Sequence, residues 1–134
     1  MNTISPFSKP LYVLAKPVGA SCNLRCKYCY YLEKSHLYRN APARVMSDEL
    51  LERFVQEYIQ AFGRQIDNTI QTNGTLLTDE WCEFFKEHNW LVGISIDGPQ
   101  EFHDEYRRTA SDKPSWQKVM RGIRLLRKHG VEWN

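Results

Sequence analysis

The chain has 134 residues, of which 42% are hydrophobic and 25% are charged, a composition typical of one globular domain or of part of a larger one. Its formal net charge is +2 and its Lys and Arg residues are scattered, so a nucleic-acid partner is not expected. It contains no run of about 18 apolar residues, so no membrane partner is expected. The first residues lack the pattern of a secretory signal. We therefore predict a cytoplasmic location, in which thiols stay reduced.

Apolar residues recur with strand and helix periods in turn, which predicts an α/β fold with a parallel sheet built from βαβ units. Ser47 and Thr78, each followed by two acidic residues, predict two helix starts. We expect the aromatic stripe of Phe54 and Tyr58, the tryptophans and Cys82 to lie in the core. The predicted elements, in chain order, are a buried strand at 11–15, a helix at 47–62, a strand at 68–74, a helix from 78, a strand at 90–96, a helix from about 115 to 129 and a strand beginning at 131.

Three cysteines, Cys22, Cys26 and Cys29, lie close together with the spacing C-x3-C-x2-C. Thiolates bind soft metals, and clustered cysteines in a reduced compartment indicate a metal site rather than disulfides. A four-ligand zinc site is one alternative, if His36 or His103 completes it. An iron–sulfur cluster held by three thiolates would leave one iron open to a substrate or cosubstrate, whereas electron-transfer clusters have a fourth thiolate. The spacing therefore favours a catalytic cluster.

Three separate blocks of the sequence carry a family resemblance: "KPVGASCNLRCKYCYYLEK", "QTNGTLLTDEW" and "VGISIDGPQEFHDEYRR". Together they are similar to the anaerobic sulfatase-maturating enzymes of the radical S-adenosylmethionine (SAM) superfamily. The resemblance implies a partial (β/α)6 barrel, here an incomplete parallel sheet with flanking helices. It also implies that Cys22, Cys26 and Cys29 hold a [4Fe–4S] cluster whose open iron takes the amino and carboxylate groups of SAM. With a low-potential electron donor, SAM would be cleaved reductively and a Cys or Ser of a sulfatase polypeptide would be oxidised to formylglycine.

The resemblance assigns four further residues to the SAM site. Tyr28 would lie against the adenine, the alternative being an aromatic packed under the cluster. Ser95 would bond the ribose, since ligands of open α/β sheets lie at the carboxyl ends of strands, and Asn73 ends the neighbouring strand at the same pocket. Arg107 would face the SAM carboxylate in a charge-assisted contact. Asp97 is expected instead to form a turn after its strand.

The sequence departs from the family pattern between the helix at 47–62 and the strand at 68–74. A glycine segment of the "GGEP" type, which would receive the SAM amino group, is absent, and about one βα unit, on the order of 30 residues, is missing near residues 63–66. The family's acid/base carboxylate and auxiliary clusters would lie beyond Asn134, so no catalytic residue is assigned. We expect residues 1–134 to be the N-terminal part of a radical SAM core domain, impaired in turnover. The alternatives are a maturase of another peptide or protein and a non-catalytic iron–sulfur or zinc-binding module.

Overall fold

The computed structural model describes residues 12–38, 46–62 and 66–134, which form an α/β fold with a parallel sheet. The sheet has the order β1 (Thr69–Thr72), β2 (Leu91–Ile94), β3 (Glu132–Trp133), with Thr69 opposite Leu91 and Leu91 opposite Glu132. The predicted fold class, a short parallel sheet with flanking helices, is confirmed. The elements of the described residues are a 3-10 helix (Glu33–Tyr38), α1 (Asp48–Phe62), β1 (Thr69–Thr72), α2 (Asp79–Glu87), β2 (Leu91–Ile94), α3 (Gln100–Tyr106), α4 (Trp116–Lys128) and β3 (Glu132–Trp133).

The helix starts follow the capping residues in the sequence. The Thr78 hydroxyl accepts a hydrogen bond from the Trp81 N–H at 3.3 Å, and the Ser47 hydroxyl accepts one from the Leu50 N–H at 3.3 Å. Helix α3 was not predicted, because its seven residues are too few to show a helical period. No helix in the described ranges is long and apolar enough to cross a membrane.

The hydrophobic core lies between the sheet and helices α2 and α4. Gly122 of α4 allows a close approach, since a Cβ atom there would lie 2.3 Å from the backbone oxygen of Gly74. The helix therefore presses against the turn that follows β1. Cys82 is fully buried here, as predicted. The buried members of the core are Leu77, Cys82, Phe85, Val92, Ile94, Val119, Ile123, Leu126 and Val131.

Two predictions about the first half of the chain are wrong. Residues 12–15 do not form a strand, and Tyr12 is 91% exposed; Leu11 lies outside the described residues. Among the described residues, β1 is an edge strand, so no strand lies beyond it for this segment to join. Helix α1 has no buried residue, so Phe54 and Tyr58 are not core residues. Both predictions are wrong for a related reason. A strand needs a neighbouring strand, and an amphipathic helix buries its apolar face only where that face packs against another element.

The tryptophans divide between the core and the surface. Trp90 and Trp133 pack partly buried against the core, whereas Trp81 is 54% exposed, so the prediction for Trp81 is wrong. Trp116 is half-buried, and its indole N–H is buried without a hydrogen-bond partner among the described residues.

Candidate functional site

The loop that carries the three neighbouring cysteines is fixed by backbone hydrogen bonds to the end of α3. The Arg25 N–H donates to the Arg108 carbonyl at 2.7 Å, and the Lys27 N–H donates to the Tyr106 carbonyl at 2.9 Å. Because backbone groups make these bonds, the position of the loop depends on the path of the chain more than on side-chain identity.

The three thiols have different surroundings. Cys22 is exposed, Cys29 is half-buried and Cys26 is buried. Burial raises the pKa of the Cys26 thiol, while the positive charge of Arg107 acts in the opposite direction, and Cys22 and Cys29 lie near enough to act on it. Among the residues described, no three His, Cys, Asp or Glu side chains are gathered closely enough to hold a metal ion. Three soft thiol donors on one loop fit an iron–sulfur cluster by donor chemistry.

An ion pair anchors the polar side of this site. The Arg107 Nε–H donates to Asp97 Oδ2 at 2.9 Å, and the Tyr28 hydroxyl donates to the same oxygen. The Arg107 guanidinium also lies 5.5 Å from the centre of the Tyr28 ring. The structure therefore brings together Tyr28 and Arg107, which the sequence assigned to one site, and joins them through Asp97.

Asp97 is the member of this group that sequence reasoning assigned to a turn. Its carboxylate accepts hydrogen bonds from two side chains, a role that the sequence did not predict. Partial burial acts to raise the pKa of Asp97, but the hydrogen bonds from Arg107 and Tyr28 outweigh it and hold that pKa below its usual value. Burial and the bond to Asp97 raise the pKa of Tyr28 to about 12. The sequence feature that could have predicted this ion pair is an acidic residue at the carboxyl end of a strand, ten positions before an arginine.

Asn73 lies beside Cys22 at the turn after β1. Its Nδ2 donates to Asn23 Oδ1 at 2.8 Å and lies 3.8 Å from Cys22 Sγ. Its Oδ1 accepts from both the backbone and the hydroxyl of Thr75. Asn73 thus tethers the start of the cysteine loop to the sheet.

Ser95 directly follows β2, where its backbone N–H donates to the Thr72 carbonyl at 2.9 Å. Its hydroxyl accepts from Gln71 Nε2 at 3.0 Å. The Gln71 side chain covers Gly93, where a Cβ atom would lie 2.1 Å from Gln71 Oε1. Gln71 is therefore a polar neighbour of Ser95 that was not predicted from the sequence.

These residues share one edge of the molecule. Asn73 and Ser95 follow the carboxyl ends of the neighbouring parallel strands β1 and β2, and Asp97 comes two residues after Ser95. Loops at the carboxyl ends of parallel strands are where open α/β sheets bind ligands. The cysteine loop is joined to this edge at Cys22 through Asn73, and Cys26 lies within electrostatic range of both Asp97 and Arg107.

Comparison with known proteins identifies the class. The family model of the radical SAM superfamily matches residues 47–134, about two thirds of the chain, and the chain belongs to that superfamily. The cysteine loop precedes the matched range.

Within the superfamily, the chain is similar to anaerobic sulfatase-maturating enzymes, as its sequence blocks suggested. It is 58% identical over 167 residues to the serine-type enzyme of Bacteroides thetaiotaomicron, an alignment covering 99% of this chain and 40% of that protein. It is 34% identical over 160 residues to the cysteine-type enzyme of Clostridium novyi, covering 94% of this chain and 43% of the relative. The chain thus spans about two fifths of the length of the curated relatives it matches.

Solved structures give the same family. A structure of anSMEcpe with bound AdoMet (SAM) matches with a TM-score of 0.72 and 29% identity, covering 89% of this chain and 41% of that one. A structure of the same protein with AdoMet and the Cp18Cys peptide matches with a TM-score of 0.68 and 28% identity, covering 89% of this chain and 40% of that one.

Proposed function

We propose that this chain is the cluster- and SAM-binding part of an anaerobic sulfatase maturase, whose whole enzyme oxidises a Ser or Cys of a sulfatase to formylglycine. The observation that carries the proposal is the placement of a three-cysteine loop against the Tyr28–Asp97–Arg107 group at the carboxyl edge of the sheet. The 58% identity to a serine-type relative makes a serine-containing sulfatase peptide the first substrate to test.

In the proposal, Cys22, Cys26 and Cys29 hold a [4Fe–4S] cluster and the sheet edge holds SAM. When bound, such a cluster supplies one electron for the reductive cleavage of SAM. The task of this chain is then to bind and orient SAM and to exclude water from it. A low-potential electron donor and a cytoplasmic location belong to the proposal as well, since thiolate ligands require reducing conditions.

Arg107 is suited to the SAM carboxylate. Asp97 engages it through Nε, and the guanidinium carries further N–H donors that can form a paired contact with a carboxylate. Asp97 holds the arginine in one orientation before the ligand arrives, which reduces the entropy lost on binding.

The other assigned residues offer complementary groups. Tyr28 is 55% exposed, and its ring can stack on the adenine. The Ser95 hydroxyl can bond the ribose, with Gln71 orienting it at 3.0 Å. Asn73 contributes an amide at the rim, next to Cys22.

The proposal includes the loss of about one βα unit near residues 63–66, of which Gly63 to Gln65 lie outside the described residues. Two observations support it. The alignment with the Bacteroides relative has 167 positions whereas the chain has 134 residues, so at least 33 positions of the relative have no counterpart here. Among the described residues, β1 has no strand on its outer edge and α1 has no buried residue.

Anaerobic reconstitution with iron and sulfide tests the cluster assignment. We expect a brown protein with the visible absorption of an iron–sulfur cluster, lost in Cys26→Ala and retained in the matched control Cys82→Ala, whose thiol lies in the core. A colourless protein that holds one zinc ion would contradict the assignment and favour the zinc-binding module.

Turnover tests the effect of the missing unit. We expect no formylglycine, by mass spectrometry, in a sulfatase peptide incubated with the reconstituted chain, SAM and reductant. Formylglycine in that peptide would show that the chain is complete enough for catalysis. Insertion of the relative's segment between Phe62 and Ile66 should lower amide hydrogen exchange in α1, while a Gly/Ser linker of equal length should leave it unchanged.

A further inference from the structure

His103 lies at the centre of a buried hydrogen-bond chain that joins two parts of the site. It is fully buried in α3, and its Nδ1 accepts from the backbone N–H of Asp97 at 3.3 Å. Its Nε2 lies 3.0 Å from the Ser115 hydroxyl, and that hydroxyl donates to the Arg107 carbonyl at 2.6 Å. The chain of bonds therefore runs from the backbone of Asp97 to the backbone of Arg107.

The donors and acceptors in this chain fix the state of the imidazole. Nδ1 must accept, because the Asp97 backbone can only donate, so the neutral ring carries its proton on Nε2. Nε2 then donates to Ser115 Oγ, whose own proton goes to the Arg107 carbonyl. Burial lowers the pKa of His103, and the positive charge of Arg107 lowers it further, while Asp104 and Asp97 act in the opposite direction. The neutral ring is the form that satisfies every bond.

The hydrogen-bond chain joins the backbone of Asp97 to that of Arg107, and the side chains of these two residues form the ion pair of the site. Asp97 belongs to the loop after β2 and Arg107 ends α3, so the separation of these two segments sets whether Arg107 Nε reaches Asp97 Oδ2 at 2.9 Å. The start of α4 is tied to the same place, because the Asp104 carboxylate accepts from the N–H groups of Ser115 and Trp116 at 2.8 Å each.

We propose that His103, acting through Ser115, is a positioning residue that sets the Asp97–Arg107 ion pair and thereby orients Arg107 toward the SAM carboxylate. The ligand part of this inference rests on the proposed function, whereas the effect on the ion pair does not. His103 is then neither a metal ligand nor a space-filling core residue, since both ring nitrogens are engaged with the site's own backbone and hydroxyl groups.

The ion pair can be followed directly in the chain without cofactor. In ¹⁵N-labelled protein the Arg107 Nε–H signal should be protected from solvent exchange, assigned by its loss in Arg107→Lys. Ser115→Ala removes the relay hydroxyl at small cost in volume, and we expect about tenfold loss of that protection. The exposed Arg53–Glu57 pair supplies an internal control, because its Nε–H should be unaffected.

Three variants of His103 separate positioning from packing. His103→Leu fills the space without hydrogen bonds, His103→Asn retains an acceptor near the Nδ1 position, and His103→Gln retains a donor near the Nε2 position. We expect Leu to abolish the protection of Arg107 Nε–H, and Asn and Gln each to retain part of it. Protection unchanged in both His103→Leu and Ser115→Ala would overturn the proposal. If His103→Leu does not fold, Ser115→Ala decides alone.

SAM binding gives the second readout. In reconstituted protein we expect Ser115→Ala to raise the Kd for SAM about tenfold while its iron content per chain equals that of the unsubstituted protein. Unchanged SAM affinity together with lost Arg107 protection would overturn the part of the inference that concerns the ligand. Failure of the unsubstituted chain to take up iron would contradict the proposed function instead, and the exchange measurement on the cofactor-free chain would still test the positioning role.

Discussion

The two halves of this chain differ in how they bury apolar residues. Residues 66–134 contain three strands, three helices and a contiguous core, whereas the described residues before them contain the cysteine loop and α1, a helix of fifteen residues with no buried side chain. Only Leu24 and Cys26 from the first half are buried hydrophobic residues among those described. Both halves contain amphipathic helices. They differ in whether the apolar face of the helix has a sheet to pack against.

If a βα unit is lost near residues 63–66, as proposed, segments on both sides of it lose a packing partner. A helix of this length is marginal in water without tertiary packing, and a strand needs a hydrogen-bonding partner. Under the proposed loss of a βα unit, residues 12–15 and α1 would each have packed against that unit, and the proposal therefore accounts for both wrong predictions. The cysteine loop keeps its place because its anchors are the backbone carbonyls of Tyr106 and Arg108 in the second half.

The largest predicted difference between the halves is the loss of free energy of unfolding when one leucine in each half is replaced by alanine. Leu126 of α4 is fully buried, and Leu126→Ala should lower the free energy of unfolding by about 2–5 kcal/mol. Leu51 of α1 is 48% exposed, and Leu51→Ala should change it by no more than about 0.5 kcal/mol. Urea denaturation measures both. A loss at Leu51 equal to that at Leu126 would mean that α1 is packed in solution.

Gly122→Ala should have an intermediate effect and tests the contact between α4 and the turn after β1. Helix propensity favours Ala by about 1 kcal/mol, but the added Cβ would meet the Gly74 carbonyl at 2.3 Å. We expect a net loss of about 1–3 kcal/mol, with changed NMR shifts at Asn73. Arg124→Ala, on the exposed side of α4, is the control and should be nearly neutral. A stabilised Gly122→Ala protein would contradict the close approach.

The smallest predicted effect is the response of the second half to acid. The pKa of His103 is lowered by burial and by Arg107, and the pKa of Asp97 is held low mainly by its bond from Arg107, against the effect of burial. In the unfolded chain their pKa values return to about 6.5 and 3.9, so between the folded and unfolded values the unfolded chain binds more protons. These contributions to stability are complete above about pH 6.5 and decline as pH falls, first at His103 and then at Asp97.

Urea midpoints measured from pH 8 down to about pH 2 check this order, because the contribution of Asp97 declines only below about pH 3.9. His103→Asn should flatten the decline that begins below about pH 6.5, whereas the exposed control His88→Gln should leave it in place. A decline that persists in full in His103→Asn would assign the acid sensitivity to other groups.

Much of the secondary structure in both halves could be predicted from residue patterns. Thr78 and Ser47 marked helix starts, and alternation of apolar runs marked β1, β2, α4 and β3, because capping and periodicity are local properties of the chain. Asn73 and Ser95 could be placed at strand ends for the same reason. The exposure of Phe54 and of residues 12–15 could not be predicted, because burial depends on a neighbour that is distant in sequence.

The sequence by itself determined the spacing of three thiols, the order of strands and helices and membership of a recognisable family, since these are written in contiguous motifs. Only the tertiary structure showed that Asp97 joins Tyr28 and Arg107, and that His103 and Ser115 connect the backbone segments that carry them. Those contacts join residues up to 69 positions apart. Their geometry follows from how the loop after β2, helix α3 and the start of α4 pack together, and no local pattern specifies that packing.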